Sequence, residues 1–228
     1  MTFYHPPLLS LSEQETRRYA GLGPGGPFPE ELVVSACNDG LLLANPRATW
    51  KRYSYNCACS TIKMMEPVQI HSRNIANHLQ TAVEVAILAV TIGHELEQEV
   101  NNRFMTGDYT AGLLLDAAGT TAVEQVADAA CKYLASEALR MGLSCTSRYS
   151  PGYGDWDIKN QPWVLSLSGG KEIGITINES CLLTPRKSVT AIVGLVPPTD
   201  HSMASLCQPE GCASCRLTNC FARKEPKQ

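Results

Sequence analysis

Arg148-Tyr149-Ser150-Pro151-Gly152-Tyr153-Gly154-Asp155-Trp156 sets a fixed positive charge, aromatic rings, a Pro-Gly turn and a second glycine side by side. Gly152 and Gly154 let the main chain turn or approach a ligand, and Pro151 stiffens the entry to the bend. The planar fork of Arg148 matches a carboxylate, and Tyr153 or Trp156 offers a face to a flat ring. The pattern suits a small ligand gripped by backbone and side chain together. Gly, Pro and Asp at this density also mark an ordinary surface turn, so the segment alone leaves both readings open.

The surrounding chain narrows the choice. It has 228 residues, a net charge of -3 and 18% charged residues. That length buries one full core with a tail to spare, and the charge gives no reason to expect nucleic acid or an anionic membrane as partner. No apolar run reaches transmembrane length. Met1-Thr2-Phe3-Tyr4-His5-Pro6 lacks the basic start and apolar core of a signal peptide, so a cytoplasmic protein is expected.

Ser12 with Glu15 three residues on predicts a capped helix over 10–20. Gly21-Leu22-Gly23-Pro24-Gly25-Gly26-Pro27 formally fits G-x-G-x-x-G. It follows no strand, opens no helix and has two prolines without amide donors, so it reads as a loop. Leu32-Val33-Val34 is too short to assign, and Leu41-Leu42-Leu43 suggests a strand. Cys57-Ala58-Cys59 offers a metal pair, but one intervening residue is an uncommon ligand spacing, and two strand residues on one pleated face is the preferred reading. Leu79, Val83, Ala86, Ile87 and Val90 recur at helical spacing and predict a helix from Ile75 to about Asn101, weakened at Gly93, with Glu95, Glu97 and Glu99 at a solvated end. A second helix is predicted over Thr110 to Arg140, ending at Gly142. Its alanines, with Gly112 and Gly119, invite close packing of a partner helix. Asn160-Gln161-Pro162 reads as a helix start. Ile173, Ile175 and Ile177 predict a half-buried strand, and Val189 to Val196 another. The joining stretch Glu179–Lys187 is long for a tight hairpin. The basic pair Arg186-Lys187 reads as solvated. After Pro197-Pro198 the apolar pattern stops. The expected layout is therefore a main domain over 1–198 and a Cys-rich tail over 199–228.

Four of the ten cysteines fall in the tail, as Cys207-x4-Cys212-x2-Cys215-x4-Cys220. Disulfides are disfavoured inside cells, so this spacing points to a metal. Four thiolates suit structural zinc and suit an iron–sulfur cluster equally well. The scattered Cys37, Cys57, Cys59, Cys131, Cys145 and Cys181 read as small buried hydrophobes.

Two blocks resemble a known family. R-x-S-P-G-Y at Arg148–Tyr153 is similar to the R-x-A-P-G-Y segment of the S-adenosylmethionine-binding activation domain of cobalamin-dependent methionine synthase. Asn178-Glu179-Ser180-Cys181-Leu182-Leu183-Thr184-Pro185-Arg186-Lys187-Ser188-Val189 resembles the T-E-S-x-x-M-x-P-x-x-S-V stretch of the same family, in the same order. The resemblance implies an α/β (α+β) fold with a bent, largely antiparallel sheet against long helices. It implies that Arg148, Ser150, Gly152 and Tyr153 contact S-adenosylmethionine, and that Glu179 and Ser180 lie beside the site and face the corrin. A family Glu on the preceding helix is matched best by Asp128, one methylene shorter; Glu124, a turn earlier on the same face, is the substitute. No residue is assigned to covalent catalysis.

The function this implies is that of a methyltransferase component: reductive methylation of a cobalamin carried by a corrinoid-binding partner or core methionine synthase, fed by an electron donor. The usual lower-ligand motif for cobalamin, D-x-H-x-x-G, is absent, and none of the five histidines fits it, so a corrinoid on which this protein acts is expected to arrive on another protein. Two alternatives stay open: an iron–sulfur electron-transfer protein, and a structural partner of a corrinoid protein without S-adenosylmethionine chemistry.

Overall fold

The computed structural model describes residues 1–23 and 28–198. Strand β1 (Thr2–Tyr4) and helices α1 (Glu13–Tyr19) and α2 (Glu30–Leu43) lead into strands β2 (Arg47–Asn56), β3 (Thr61–Lys63) and β4 (Val68–Gln69). Helix α3 (Arg73–His78), strand β5 (Glu84–Thr91) and helices α4 (Glu95–Met105) and α5 (Tyr109–Arg140) follow. Strand β6 (Ser144–Cys145), helix α6 (Gln161–Ser168), the short hairpin β7 (Thr176–Ile177) and β8 (Leu183–Thr184), and strand β9 (Ser188–Val196) complete the order. The main sheet runs β4-β3-β2-β5-β9-β6, with β1 on the free edge of β2, and every described pairing is antiparallel. This is the α+β architecture expected, with an antiparallel sheet against long helices.

The centre of the sheet is β5, paired with β2 from Arg47↔Thr91 to Ser54↔Glu84 and with β9 from Thr91↔Ser188 to Glu84↔Leu195. Successive strand side chains point to opposite faces. Ala86, Leu88 and Val90 join Ala48, Trp50, Val193 and the apolar side of α5 in the larger core. Val85 and Ile87 face Ile75, Leu79, Trp156, Val164 and Ile192 in the second core. Both faces of β5 are thus covered, and the strand reads as an unbroken apolar run.

This overturns the predicted helix over 75–101. Residues 73–78 form one short helix, 84–91 the central strand and 95–105 a second helix. A strand buried on both sides has no polar side chains to show its period of two, so its sequence looks like a buried helix. Leu41-Leu42-Leu43 ends α2 rather than forming a strand. Of the predicted Ile173–Ile177 strand only Thr176–Ile177 is extended. Gly170–Ile173 is a 3-10 helix, and Ile175 is buried in a small cluster with Ala89 and Leu165. Cys57 and Cys59 lie exposed in the β2–β3 turn, outside any strand.

Other expectations hold. Ser12 Oγ accepts the Glu15 amide at the start of α1. Asn160 stands at the N-cap position of α6, with Pro162 in the first turn, though its side chain accepts the Trp163 indole N–H rather than a backbone amide. The long helix spans 109–140, begun by Asp108, whose side chain accepts the Ala111 amide. Its small residues do admit neighbours: α4, which includes the end of the helix predicted before it, packs on α5, and so do α1 and α2. A Cβ on Gly119 would stand 2.6 Å from Leu96 Cδ2 of α4 and 3.2 Å from Lys187 Cε, so only glycine lets both approach.

Candidate functional site

The residues of interest gather on one row of α5. Asp116, Thr120, Glu124 and Asp128 recur every four positions and so lie one above another along the helix. Each of the two sequence blocks sends a cation onto this row.

Arg148 takes the upper half. Its guanidinium Nη1 donates to Asp128 Oδ1 and its Nη2 to Glu124 Oε2, both at 2.6 Å. The arginine side chain is 5% exposed, against 38% for Glu124 and 42% for Asp128. The cation is therefore held inside, and the carboxylates look outward over it with an excess of one negative charge. Burial works against the Arg148 charge, but the fields of Glu124 and Asp128 more than offset it, and its pKa stands above the usual arginine value. Sequence reasoning chose these three residues; the structure shows that they satisfy one another. The fork of Arg148 engages two protein carboxylates, not an open surface.

A third element borders this cluster. Tyr19, at the end of α1, is half-buried, and its hydroxyl pKa is raised by burial and by the nearby Glu124 charge. The Arg18 guanidinium lies 4.0 Å from the Tyr19 ring centre. Neither residue was expected at the site. The only signal was Arg17-Arg18-Tyr19 closing a capped helix, which usually marks no more than a favourable helix end.

The bend after Arg148 is fixed from three sides. Tyr149 exchanges backbone hydrogen bonds with Ile192 of β9 at 2.9 and 2.8 Å. The Gly152 amide donates to the Trp156 carbonyl at 2.7 Å. Asp155 reaches across to α3: its carboxylate accepts from the Ser72 hydroxyl and from the Arg73 amide at 2.8 Å, and these bonds hold its pKa below the ordinary aspartate range. His78, on α3, donates from Nε2 to the Ser147 carbonyl at 2.7 Å. Gly152 and Gly154 have φ of +90° and +56°; a Cβ on Gly154 would collide with the Tyr149 hydroxyl and Asn74 Nδ2. Within the bend Ser150 is half-buried, while Gly152 and Tyr153 are exposed. Trp156 is buried in the second core, so of the two rings expected to cover a ligand only Tyr153 is available.

The second block takes the lower half of the row. Lys187 Nζ lies 3.0 Å from Asp116 Oδ2 and donates to Thr120 Oγ1 at 2.8 Å, with the side chain 12% exposed. Burial lowers its pKa, only partly countered by Asp116. Arg186 donates from Nε to Glu97 Oε1 at 2.6 Å, and its amide goes to Glu97 Oε2 at 2.9 Å. The pair is thus tied to α4 and α5: Arg186 stays solvated, with its side chain 56% exposed, whereas Lys187 is largely buried, contrary to expectation, and Glu97 is held in this contact rather than marking a solvated end. The tip of the same block stands apart. Glu179 and Ser180 are exposed in the β7–β8 turn, whose shape comes from Asn178 Oδ1 accepting the Ser180 and Leu182 amides at 3.0 and 2.9 Å. Among the described residues no hydrogen bond or ion pair joins Glu179 or Ser180 to Arg148, Glu124 or Asp128.

The metal ligands expected at Cys207, Cys212, Cys215 and Cys220 lie outside the described residues. Among those described, no three His, Cys, Asp or Glu side chains are grouped to hold a metal ion, and no helix is long and apolar enough to cross a membrane. Two surface depressions, of about 640 Å³ along the outer side of α2 from Pro29 to Asp39 and about 260 Å³ beside Arg52 and Glu137, contain none of the Arg148 cluster. The cluster presents an open, charged surface rather than a closed cavity.

No protein-family model and no curated protein sequence matches the chain. Among solved structures, the crystal structure of the MetH reactivation domain bound to AdoHcy is similar, with a TM-score of 0.56 and 16% identity over 87% of this chain and 83% of that one. The fold is therefore that of the methionine synthase reactivation domain, as the two sequence blocks implied.

Proposed function

We propose that this chain binds S-adenosylmethionine and supports reductive methylation of a cobalamin carried by a partner protein. The observation that carries the reading is the convergence of both blocks on one row of α5, with Arg148 buried between Glu124 and Asp128 at 2.6 Å. The fold likeness to a domain crystallised with AdoHcy, the demethylated product of S-adenosylmethionine, supports the same ligand.

On this reading the outward carboxylates of Glu124 and Asp128 meet the ammonium or ribose hydroxyls. Ser150, Gly152 and Tyr153 line the adenosyl end. The ligand carboxylate competes with one of the acids for the Arg148 fork. The protein's contribution is positional: it holds the methyl carbon in line between sulfur and the partner's cobalt at near-attack distance. The cobalamin, when delivered, supplies the nucleophilic cobalt. The exposed β7–β8 tip, with Glu179, Ser180 and Leu182, faces the corrin. The tail over 199–228 forms a separate unit in which Cys207, Cys212, Cys215 and Cys220 hold zinc or an iron–sulfur cluster, the latter able to relay an electron from a donor protein. A cytoplasmic corrinoid protein or core methionine synthase is the partner.

Calorimetry with S-adenosylmethionine tests the ligand. Micromolar binding that is lost in Arg148→Ala is expected, and absence of binding by the intact protein rejects the reading. An anaerobic mixture with a Co(II) corrinoid protein, a reductant and S-adenosylmethionine tests the reaction through the appearance of the methyl–cobalt absorbance.

A further inference from the structure

Strand β9 delivers the chain to Pro197-Pro198 beside a surface that the main domain leaves open. At this end β9 pairs with β6 through Ser144↔Val196 and with β5 through Glu84↔Leu195, and the Val83 amide donates to the Leu195 carbonyl at 3.0 Å. Glu84 lies 3.6 Å from Arg52, whose guanidinium also donates to the Met141 sulfur, three residues before Ser144. Met141, Arg52, Arg140, Glu137 and Thr2 line the smaller surface depression, of about 260 Å³. The depression therefore adjoins the point at which residues 199–228 begin.

This surface has apolar side chains in the open and a cation to spare. Val83 is 45% and Met141 41% exposed. Glu137 accepts the Trp50 indole N–H at 3.1 Å and Glu84 faces Arg52, but the exposed Arg140 side chain makes no hydrogen bond or ion pair among the described residues. The sequence that follows fits both features. From Thr199 to Cys215 it holds two acids, Asp200 and Glu210, and no Lys or Arg, and Met203 and Leu206 are its large apolar residues before the first cysteine. The β6–β9 register, Cys145↔Leu195 and Ser144↔Val196, carried four positions further sets Asp200 opposite Arg140. Helix α5 ends at Arg140, which breaks the paired course there, yet Asp200 needs only about 13 Å of extended chain from Val196.

We propose that this depression is the docking site of residues 199–206, with Asp200 pairing with Arg140 and with Met203 and Leu206 covering Met141 and Val83. The docked segment holds the cysteine-rich unit, which begins at Cys207, at the β6–β9 end of the sheet. That edge also carries the bend after Arg148: Tyr149 bridges to Ile192, four residues back along β9 from Val196 and so about 13 Å away.

The test uses the full chain. Chymotrypsin cleavage after Leu206, followed by mass spectrometry of the native protein, reads docking, because a docked segment is cut through its open form. Asp200→Arg and Arg140→Asp are each expected to speed this cut about threefold, the size of one exposed ion pair, and the double swap to return it to within about twofold of the parent. Methyl nuclear Overhauser contacts from Met203 and Leu206 to Met141 and Val83 are expected in the intact protein. Unchanged circular dichroism separates release of the segment from loss of fold, and Asp200→Arg leaves α5 untouched. Cleavage that ignores both single substitutions, a double swap that adds their effects, or Overhauser contacts that run to the outer side of α2 overturns the assignment. So does protection that grows with protein concentration, which would make the occupant the tail of a second copy.

Discussion

The two ends of the α5 row use the same parts to opposite effect. At Asp116 and Thr120 one buried lysine meets one carboxylate and one hydroxyl, and Arg186 on Glu97 closes the side. At Glu124 and Asp128 one buried arginine meets two carboxylates that stay about two-fifths exposed. The first end balances its charges around a lysine that is 12% exposed, although Asp116 and Arg186 stay 34% and 56% exposed; the second leaves a net negative charge facing solvent. A closed ion pair fixes one chain segment on another. An open one keeps acceptors ready for a cationic ligand while its own cation cannot leave. The row thus separates a lock from a receptor within about three helical turns.

The sharpest way to break this contrast is to remove each cation in turn. Arg148→Ala should lower S-adenosylmethionine affinity by at least about 100-fold, near 2.7 kcal/mol. It should also cost about 2 kcal/mol of stability, less than the loss of a fully buried pair because the two carboxylates are partly solvated. Calorimetry and urea denaturation read the two effects. Lys187→Met should cost only stability, about 1 kcal/mol, and leave affinity within twofold. Equal losses of affinity in both variants would break the distinction.

Gly154→Ala sharpens it from the side of the bend. A Cβ there meets Tyr149 and Asn74 at a φ of +56°, so a loss of about 1–3 kcal/mol with weakened ligand binding is expected by the same measurements. Asp155→Asn should cost about 1 kcal/mol, as for a helix cap, with affinity little changed. Because the Asp155 pKa is depressed in the folded state, its contribution is complete above the ordinary aspartate pKa and is lost as pH falls through the folded value. Acid denaturation of Asp155→Asn should therefore be flatter than that of the parent.

The smallest effect is at Lys187. Its folded pKa is lowered from 10.5, so the folded state binds fewer protons just below that pH, and stability rises with pH through the window up to about 10.5. That rise should vanish in Lys187→Met, read by urea denaturation between pH 8 and 10.5.

Much of this was legible in the sequence because local rules and tertiary packing agree there. Helix α5 starts at a capping aspartate and ends before Gly142, and β9 is a short β-branched run that ends at Pro197-Pro198, so it reads as a strand although both its faces are buried. Strand β5 was not legible: with Ala86, Leu88 and Val90 in one core and Val85 and Ile87 in the other, its burial erases the period. At the site, Arg148, Glu124 and Asp128 were recognisable as a set through the family resemblance, but their mutual pairing was not. Two acids four apart on a helix otherwise lined by alanine were the available hint that a cation must pack there. Lys187 was missed for a similar reason, since Asp116 is an isolated acid in an apolar stretch and asks for a buried partner.

The central claim is that the ligand sits on the open end of the row. Amide hydrogen exchange of the intact protein with and without S-adenosylmethionine tests it directly. Added protection confined to Glu124–Asp128 and to residues 148–154 is the predicted result. Protection along the outer side of α2, or at Asp116 and Lys187 with none at Arg148, would contradict it.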